Sequence, residues 1–315
     1  FVIVPHQLVF DGWSFDIFLG ELESNYRAFS EERTPATTLL TFEFRDYAQW
    51  CKSREINRDH LNYHLQALEN APIAECVKDT QHKGDCQRRI YRFSESVFRK
   101  IEELCGNHKL RLHEVLFAVY AQSLAGYLGK QKIVMGIPVT GRYSPDVIGL
   151  IGPFVSYLPC EVHIEATNFV GIAKKIALQL REFHTHQDMS YAEIIQGTAR
   201  EQQYFPLFMP ASFSYQDIRN RPTLLADLKL SQVDMPRKQT ELPIEFWTRI
   251  EPNGFLAVID YDDALVETSV VESLGKMIAN MFENIDTIAS ELPAAVVTND
   301  VQPKNKKPLW RRLFQ

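Results

Sequence analysis

Four apolar residues, Phe1-Val2-Ile3-Val4, open the chain and predict a buried strand. Directly behind them Phe15, Phe18, Leu19, Leu22, Tyr26 and Phe29 recur at helical spacing. Ser14 is well typed as the N-cap of that helix, and Asp16 in its first turn complements the helix dipole. Leu61, Leu65 and Leu68 predict a second amphipathic helix, and the polar stretch from Asn70 to Asp85 reads as a crossover between two lobes. A strand is predicted over Arg88 to Phe93. Ser94 then caps a helix that buries Val97, Phe98, Ile101 and Leu104. The segment from His113 to Leu128 is apolar enough for a buried helix, and Ile133 to Pro138 reads as a central strand. The following segment, through Pro159, reads as a loop, and Asn168 to His184 as a helix. Three strands follow at Ala211–Tyr215, Leu242–Ile250 and Phe255–Tyr261, the last two joined by a turn containing Asn253-Gly254. A closing helix from Thr268 to Ile288 turns Val271, Leu274, Ile278, Met281, Phe282 and Ile285 inward, and residues beyond Pro293 lack a core pattern and read as a linker or tail. Strands alternating with helices predict an α/β fold, and the hairpin makes the sheet mixed.

Composition narrows the partners. The 315 residues are 45% hydrophobic, enough for one large or two medium domains, and the formal net charge is −6. An acidic balance without a basic patch points to neither nucleic acid nor an anionic membrane as partner. No apolar run approaches the roughly 18–20 residues needed to cross a bilayer. Five dispersed cysteines without a CxxC spacing suggest reduced thiols and a cytoplasmic location. The chain begins without methionine in the middle of a predicted strand, as a fragment would.

Candidate chemistry concentrates at the start. His6-Gln7-Leu8-Val9-Phe10-Asp11-Gly12-Trp13-Ser14 crowds an imidazole, an amide, a carboxylate and a glycine onto a strand-to-helix crossover, where catalytic groups tend to sit. His184, His186 and Asp188 have a spacing compatible with metal ligation but no further ligand cluster, so no metal site is expected. There is no glycine-rich phosphate loop and no GxSxG. His60, His64 and His108 read as surface residues, Trp50 and Trp247 as core. Arg142, just after an apolar strand and a glycine, calls for a carboxylate partner, and a fixed ion pair is favoured over substrate binding.

The opening stretch is similar to the HHxxxDG motif of the chloramphenicol acetyltransferase-like superfamily. In its longer form it resembles the condensation domains of nonribosomal peptide synthetases. Further segments in the same order carry the resemblance: Phe44 to Trp50 ("DYAxWQ"), Gly136 to Arg142 ("GxPVxxR"), Ile151 to Pro159 ("IGxFVNxLP"), His186-Gln187-Asp188 ("HQDxPFE"), Pro206-Leu207-Phe208 ("PLF") and Ala257 to Asp263 ("ieYn"). It covers nearly all of residues 1–292.

The resemblance implies two acetyltransferase-like lobes forming a V-shaped pseudodimer, the first lobe incomplete. Residues 1–75 would be the remainder of the N-terminal lobe, 76–292 the C-terminal lobe and 293–315 the linker. It implies amide formation between a donor thioester and an acceptor amine. Both would arrive on the 4′-phosphopantetheine arms of peptidyl carrier proteins, beside adjacent synthetase domains and with no cofactor bound to the domain itself. In that family the second motif histidine orients or deprotonates the amine, and here Gln7 occupies its position, after His6. Gly12 would let the backbone approach the thioester. Asp11 would be structural, paired with Arg142, with Trp13 and Ser14 beside them. Ser156, Tyr157 and Ser214 would line the substrate tunnel, with Ser156 standing where the family has asparagine. Glutamine holds and gives hydrogen bonds but cannot take a proton, so the sequence also admits a degenerate domain that docks carrier proteins or recruits a tailoring enzyme. A stand-alone acyltransferase of the same superfamily is the weaker third reading.

Overall fold

The computed structural model describes residues 2–36, 40–69, 77, 84–165, 168–197, 209–219, 221, 224–225, 227–231, 233 and 235–290. Three helices come first: α1 (Gly12–Ser30), α2 (Phe44–Ser53) and α3 (Arg58–Glu69). Then follow β1 (Cys86–Ser94), α4 (Glu95–His108), α5 (Leu112–Leu128), β2 (Lys132–Val139), α6 (Pro145–Ile148), β3 (Ser156–His163), α7 (Phe169–Thr185) and α8 (Tyr191–Gln196). The chain continues through β4 (Ala211–Asp217), β5 (Leu224–Leu225), β6 (Leu228–Lys229), β7 (Ile244–Glu251), β8 (Gly254–Asp262), α9 (Thr268–Glu283) and α10 (Ile285–Ser290).

The main sheet has six strands in the order β1-β8-β7-β4-β2-β3. It is mixed: β2 with β4 and β4 with β7 run parallel, while the other neighbours are antiparallel. The predicted hairpin pairs Ile250 with Phe255 and Glu251 with Gly254. Alternate residues of β7 and β8 (Ile244, Phe246, Ile250; Phe255, Ala257, Ile259, Tyr261) join the core formed with α4, α5, α7 and α9. Twelve residues of α5 are buried, from Glu114 to Ala125, which explains why its sequence shows no polar stripe. Ser94 accepts from the Val97 amide as the cap of α4, and Asn168 caps α7 at Gly171.

Several expectations are corrected. Residues 2–4 form no strand, and Val2 and Val4 are exposed. Ile133 to Pro138 lies one strand in from the edge rather than at the centre, because β3 begins at Ser156 inside the segment expected as loop. The closing helix breaks at Asn284. On α1, Tyr26 and Phe29 of the expected buried face are exposed. Trp50 is half exposed rather than in the core, and Trp247 is half-buried with its indole N–H on Asp260. His64 is fully buried: its ring nitrogens sit 3.2 Å and 3.0 Å from the carbonyl oxygens of Pro159 and His186, fastening α3 to the edge strand β3. Most of the expected crossover, Pro206-Leu207-Phe208 and the tail beyond Ser290 lie outside the described residues.

Candidate functional site

The motif residues enter helix α1 through a cap. Asp11, not Ser14, is the N-cap: its backbone is extended and its carboxylate accepts from the Ser14 amide at 2.7 Å. Phe10 packs edge-on against Phe15 with ring centres 6.3 Å apart, stapling the entry of the chain across the cap. Asp16 falls beyond the first turn and pairs with Arg221 at 3.1 Å.

Asp11 is also the centre of a buried clasp. Arg142 approaches its two carboxylate oxygens at 3.3 Å and 3.4 Å, and the two side chains are only 2% and 5% exposed. The Phe154 amide donates to Asp11 at 3.1 Å, and the Ser14 hydroxyl donates to it at 2.7 Å. Ser14 further takes the Gly152 amide at 3.0 Å. Arg142 spends its other terminal nitrogen, Nη1, on the carbonyls of Val147 and Leu150, each at 2.7 Å, and its guanidinium lies 3.9 Å from the Phe154 ring centre. Burial draws the Arg142 pKa below its ordinary value, and the Asp11 carboxylate opposes that shift. The ion pair expected from the sequence is therefore present, and the loop 140–155 between β2 and β3 supplies most of its donors and acceptors.

That loop has its own small core of Val147, Leu150 and Phe154, covered by Phe44 and Tyr47 of α2. The Tyr47 hydroxyl donates to the Gly141 carbonyl at 3.1 Å. Gly141 has φ +66°, and a Cβ there would fall 2.2 Å from the Phe154 carbonyl oxygen. Gly152 meets the Phe44 ring just as closely, a would-be Cβ standing 2.3 Å from it. The Trp13 indole N–H donates to Ile148 O at 3.0 Å. Apart from Arg142, the residues that build and cover this clasp were not legible individually, although Phe44 and Tyr47 fall in one motif segment and Gly141 and Gly152 in two others.

His6 and Gln7 stand on a tight turn in front of the cap, closed by Val9 N–H to the His6 carbonyl at 3.0 Å. Both are exposed. His6 Nδ1 accepts from the Leu8 amide at 3.1 Å, which leaves Nε2 to carry the proton of the neutral ring. Gly12 has nothing within 4 Å of a would-be Cβ, so its flank is open. Ser156 starts β3 opposite Val139, at the end of the clasp loop. Tyr157 stands opposite Pro138, and burial with the nearby Glu245 and Glu241 raises its hydroxyl pKa. Ser214 lies on β4 beside Trp247. Asp11, Trp13, Ser14 and Arg142 are thus brought together, with His6 and Gln7 on the adjoining turn; Tyr157 and Ser214 make no hydrogen bond into this clasp among the described residues.

The residues weighed for metal binding are engaged otherwise. His184 Nδ1 and His186 Nδ1 face the carbonyls of Leu180 and Glu182, and Asp188 pairs with Arg54. No group of three or more potential ligands converges among the described residues. No described helix is long and apolar enough to cross a membrane.

Comparison with known proteins bears directly on this arrangement. The chain is 24% identical over 287 residues to tyrocidine synthase 3 of Brevibacillus parabrevis, a match covering 87% of this chain and 4% of that protein. It is likewise 24% identical over 288 residues to malpinin synthetase of Mortierella alpina, covering 86% of this chain and 4% of that protein. The fold matches the first condensation domain of the CDA synthetase with TM-score 0.74 at 15% identity, over 92% of this chain and 64% of that one. It also matches the complex of the X-domain and OxyB from teicoplanin biosynthesis, with TM-score 0.69 at 17% identity over 89% and 66%. The chain therefore spans a small part of its curated relatives. The sequence model described as "Condensation domain" matches residues 1–299, and with the α/β fold, the Asp11–Arg142 clasp and the synthetase relatives it establishes that the chain belongs to the condensation-domain family of nonribosomal peptide synthetases.

Proposed function

We propose that this chain forms an amide bond between a donor acyl or aminoacyl thioester and an acceptor amine, each carried on the phosphopantetheine arm of a peptidyl carrier protein. The observation that carries the reading is the Asp11 clasp, which uses a buried carboxylate for structure and leaves the turn bearing His6 and Gln7 open to a substrate. In this reading Gln7 orients the acceptor amine through its amide, and His6 supports the turn through Nδ1. Attack of the amine on the thioester carbonyl gives a tetrahedral adduct. Collapse of that adduct expels the thiolate and releases one proton from nitrogen. Gln7 cannot accept that proton, so it passes to the departing thiolate or to water, and the chain works by positioning rather than by general-base catalysis. The open flank of Gly12 admits the thioester beside the first amides of α1, whose dipole favours the developing negative charge. Ser156, Tyr157 and Ser214 are assigned to the walls of the substrate path. The neighbouring domains of a synthetase would present the carriers. Four free thiols among the described residues suit a reducing compartment such as the cytoplasm.

A second reading is favoured by Gln7 itself and by the likeness to an X-domain solved in complex with OxyB: a non-catalytic domain that docks a carrier or a tailoring enzyme. The discriminating experiment is single-turnover amide formation by the full-length protein with loaded donor and acceptor carriers. Product from the native chain supports catalysis. Carrier binding with no product supports docking.

A further inference from the structure

Among the motif segments with no part in the chemistry proposed above are the one that opens α2, and His186-Gln187-Asp188. The fold brings them together at Arg54, the C-cap of α2. Arg54 Nη1 pairs with the Asp188 carboxylate and Nη2 lies 3.3 Å from Glu193 Oε2 and 3.5 Å from the Asp188 carbonyl oxygen. The guanidinium is 5.3 Å from the Trp50 ring centre. Arg54 and Glu193 are largely buried, with side chains 13% and 16% exposed, so this pair is shielded far more than an ordinary surface bridge. One guanidinium therefore holds two carboxylates, and one of these, Glu193, also closes the cap of α8 by accepting from the Ser190 amide at 2.6 Å.

The ten-residue helix α2 has no fully buried residue. It is held by its partly buried residues and its end contacts rather than by a buried face of its own. At one end are Phe44 and Tyr47, which cover Phe154 and bond Gly141; at the other is Arg54. The same 186–188 segment reaches the clasp loop a second way, through the Tyr143 hydroxyl, which donates to the Gln187 carbonyl at 2.7 Å. Tyr143 adjoins Arg142 in the chain. A closed circuit runs from Asp188 through Arg54 and α2 to Gly141 and Phe154, then through Arg142 and Tyr143 back to Gln187.

We infer that Arg54, with Asp188 and Glu193, is a positioning set for the motif turn: it fixes α2, α2 fixes the loop 140–155, and that loop holds Asp11 at the mouth of α1. Arg54 touches neither His6, Gln7 nor Gly12 and acts only through this circuit. Its backbone N–H bonds the Trp50 carbonyl at 2.9 Å, a bond that a side-chain substitution leaves in place, so the helix itself survives. The kinetic consequence rests on the amide-forming reading above; the structural consequence does not.

The test compares Arg54→Met, Arg54→Lys and Asp188→Asn in the full-length protein, using amide hydrogen exchange and single-turnover kinetics together. Arg54→Met is expected to speed exchange at the Ser14, Gly152 and Phe154 amides by about three- to thirtyfold, the range for coupling through a packed network, while amides of α5 and α9 keep their native rates. Arg54→Lys keeps the charge but loses the fork, and falls between. Asp188→Asn keeps the shape of the side chain but removes one of the two charges on Arg54, and is expected to speed the same three amides less than Arg54→Met does. The rate of amide formation falls while the apparent KM for loaded carriers is unchanged. Unchanged exchange at those three amides overturns the inference, as does a uniform rise that includes α9. If the native protein makes no amide, the catalytic reading fails while the exchange experiment still decides this one.

Discussion

Replacing Arg142 by methionine removes the cation from the Asp11 clasp while roughly preserving its apolar stem. The guanidinium is 2% exposed, contacts the Asp11 carboxylate at 3.3 Å and satisfies two carbonyls at 2.7 Å. Deleting one partner of a buried ion pair typically costs about 3–5 kcal/mol, because the other charge is left without compensation. Asp11 keeps three donors, the amides of Ser14 and Phe154 and the Ser14 hydroxyl, which places the carboxylate's share at the lower end. The orphaned carbonyls of Val147 and Leu150 add to it, each by about 1 kcal/mol where water reaches them. The total is a loss of about 5 kcal/mol, read by urea unfolding at pH 7. Arg142→Lys retains the charge without the fork and is expected to lose about half as much. Adding Asp11→Asn to Arg142→Met should cost far less than Asp11→Asn does alone, since the uncompensated charge is then gone. A loss below about 1 kcal/mol for Arg142→Met, or strict additivity in the double variant, would refute the claim that this pair holds the motif turn.

Three further outcomes are expected. Gly141→Ala forces a Cβ into a left-handed residue with a carbonyl oxygen 2.2 Å away, so it should lower stability by about 2 kcal/mol or more, measured as a shift of the urea midpoint. Asp262→Ala strips the acceptor from the backbone amides of Gly84, Ala264 and Leu265 at a site 1% exposed, and a loss of about 3 kcal/mol is expected by the same measurement. Burial holds the His64 pKa below 6.5, so the folded protein keeps this ring neutral while the unfolded chain takes up a proton. Its contribution is therefore complete above about pH 6.5 and is lost as pH falls toward the folded pKa, at up to about 1.4 kcal/mol per unit; His64→Gln should flatten the stability profile below about pH 6.5.

The sequence revealed most where a single face decides. The inward residues Val97, Phe98, Ile101 and Leu104 of α4 and Val271, Leu274 and Ile278 of α9 were readable because their partners lie on one side only. That Arg142 needs a carboxylate partner was readable from its setting, whereas Asp11 as that partner came from the resemblance of the motif turn to the family. The rest depended on long-range geometry. His64 looks like a surface residue locally, and only the approach of β3 and the end of α7 buries it. Phe1 to Val4 reads as a strand, yet residues 2–4 have no strand partner among the described residues. Ser14 has the right chemistry for a cap, but Asp11 takes that role and the Ser14 hydroxyl oxygen instead accepts from the Gly152 amide. Arg54 carried no signal at all, since its partners lie more than 130 positions away.

The role of Gln7 is tested most directly by amide formation from loaded donor and acceptor carriers with the full-length protein, native against Gln7→His. Slow but measurable product is expected from the native chain, raised on the order of 10²–10⁴-fold when a titratable ring replaces the amide. An inert native chain, whether or not Gln7→His makes product, would contradict catalysis by positioning.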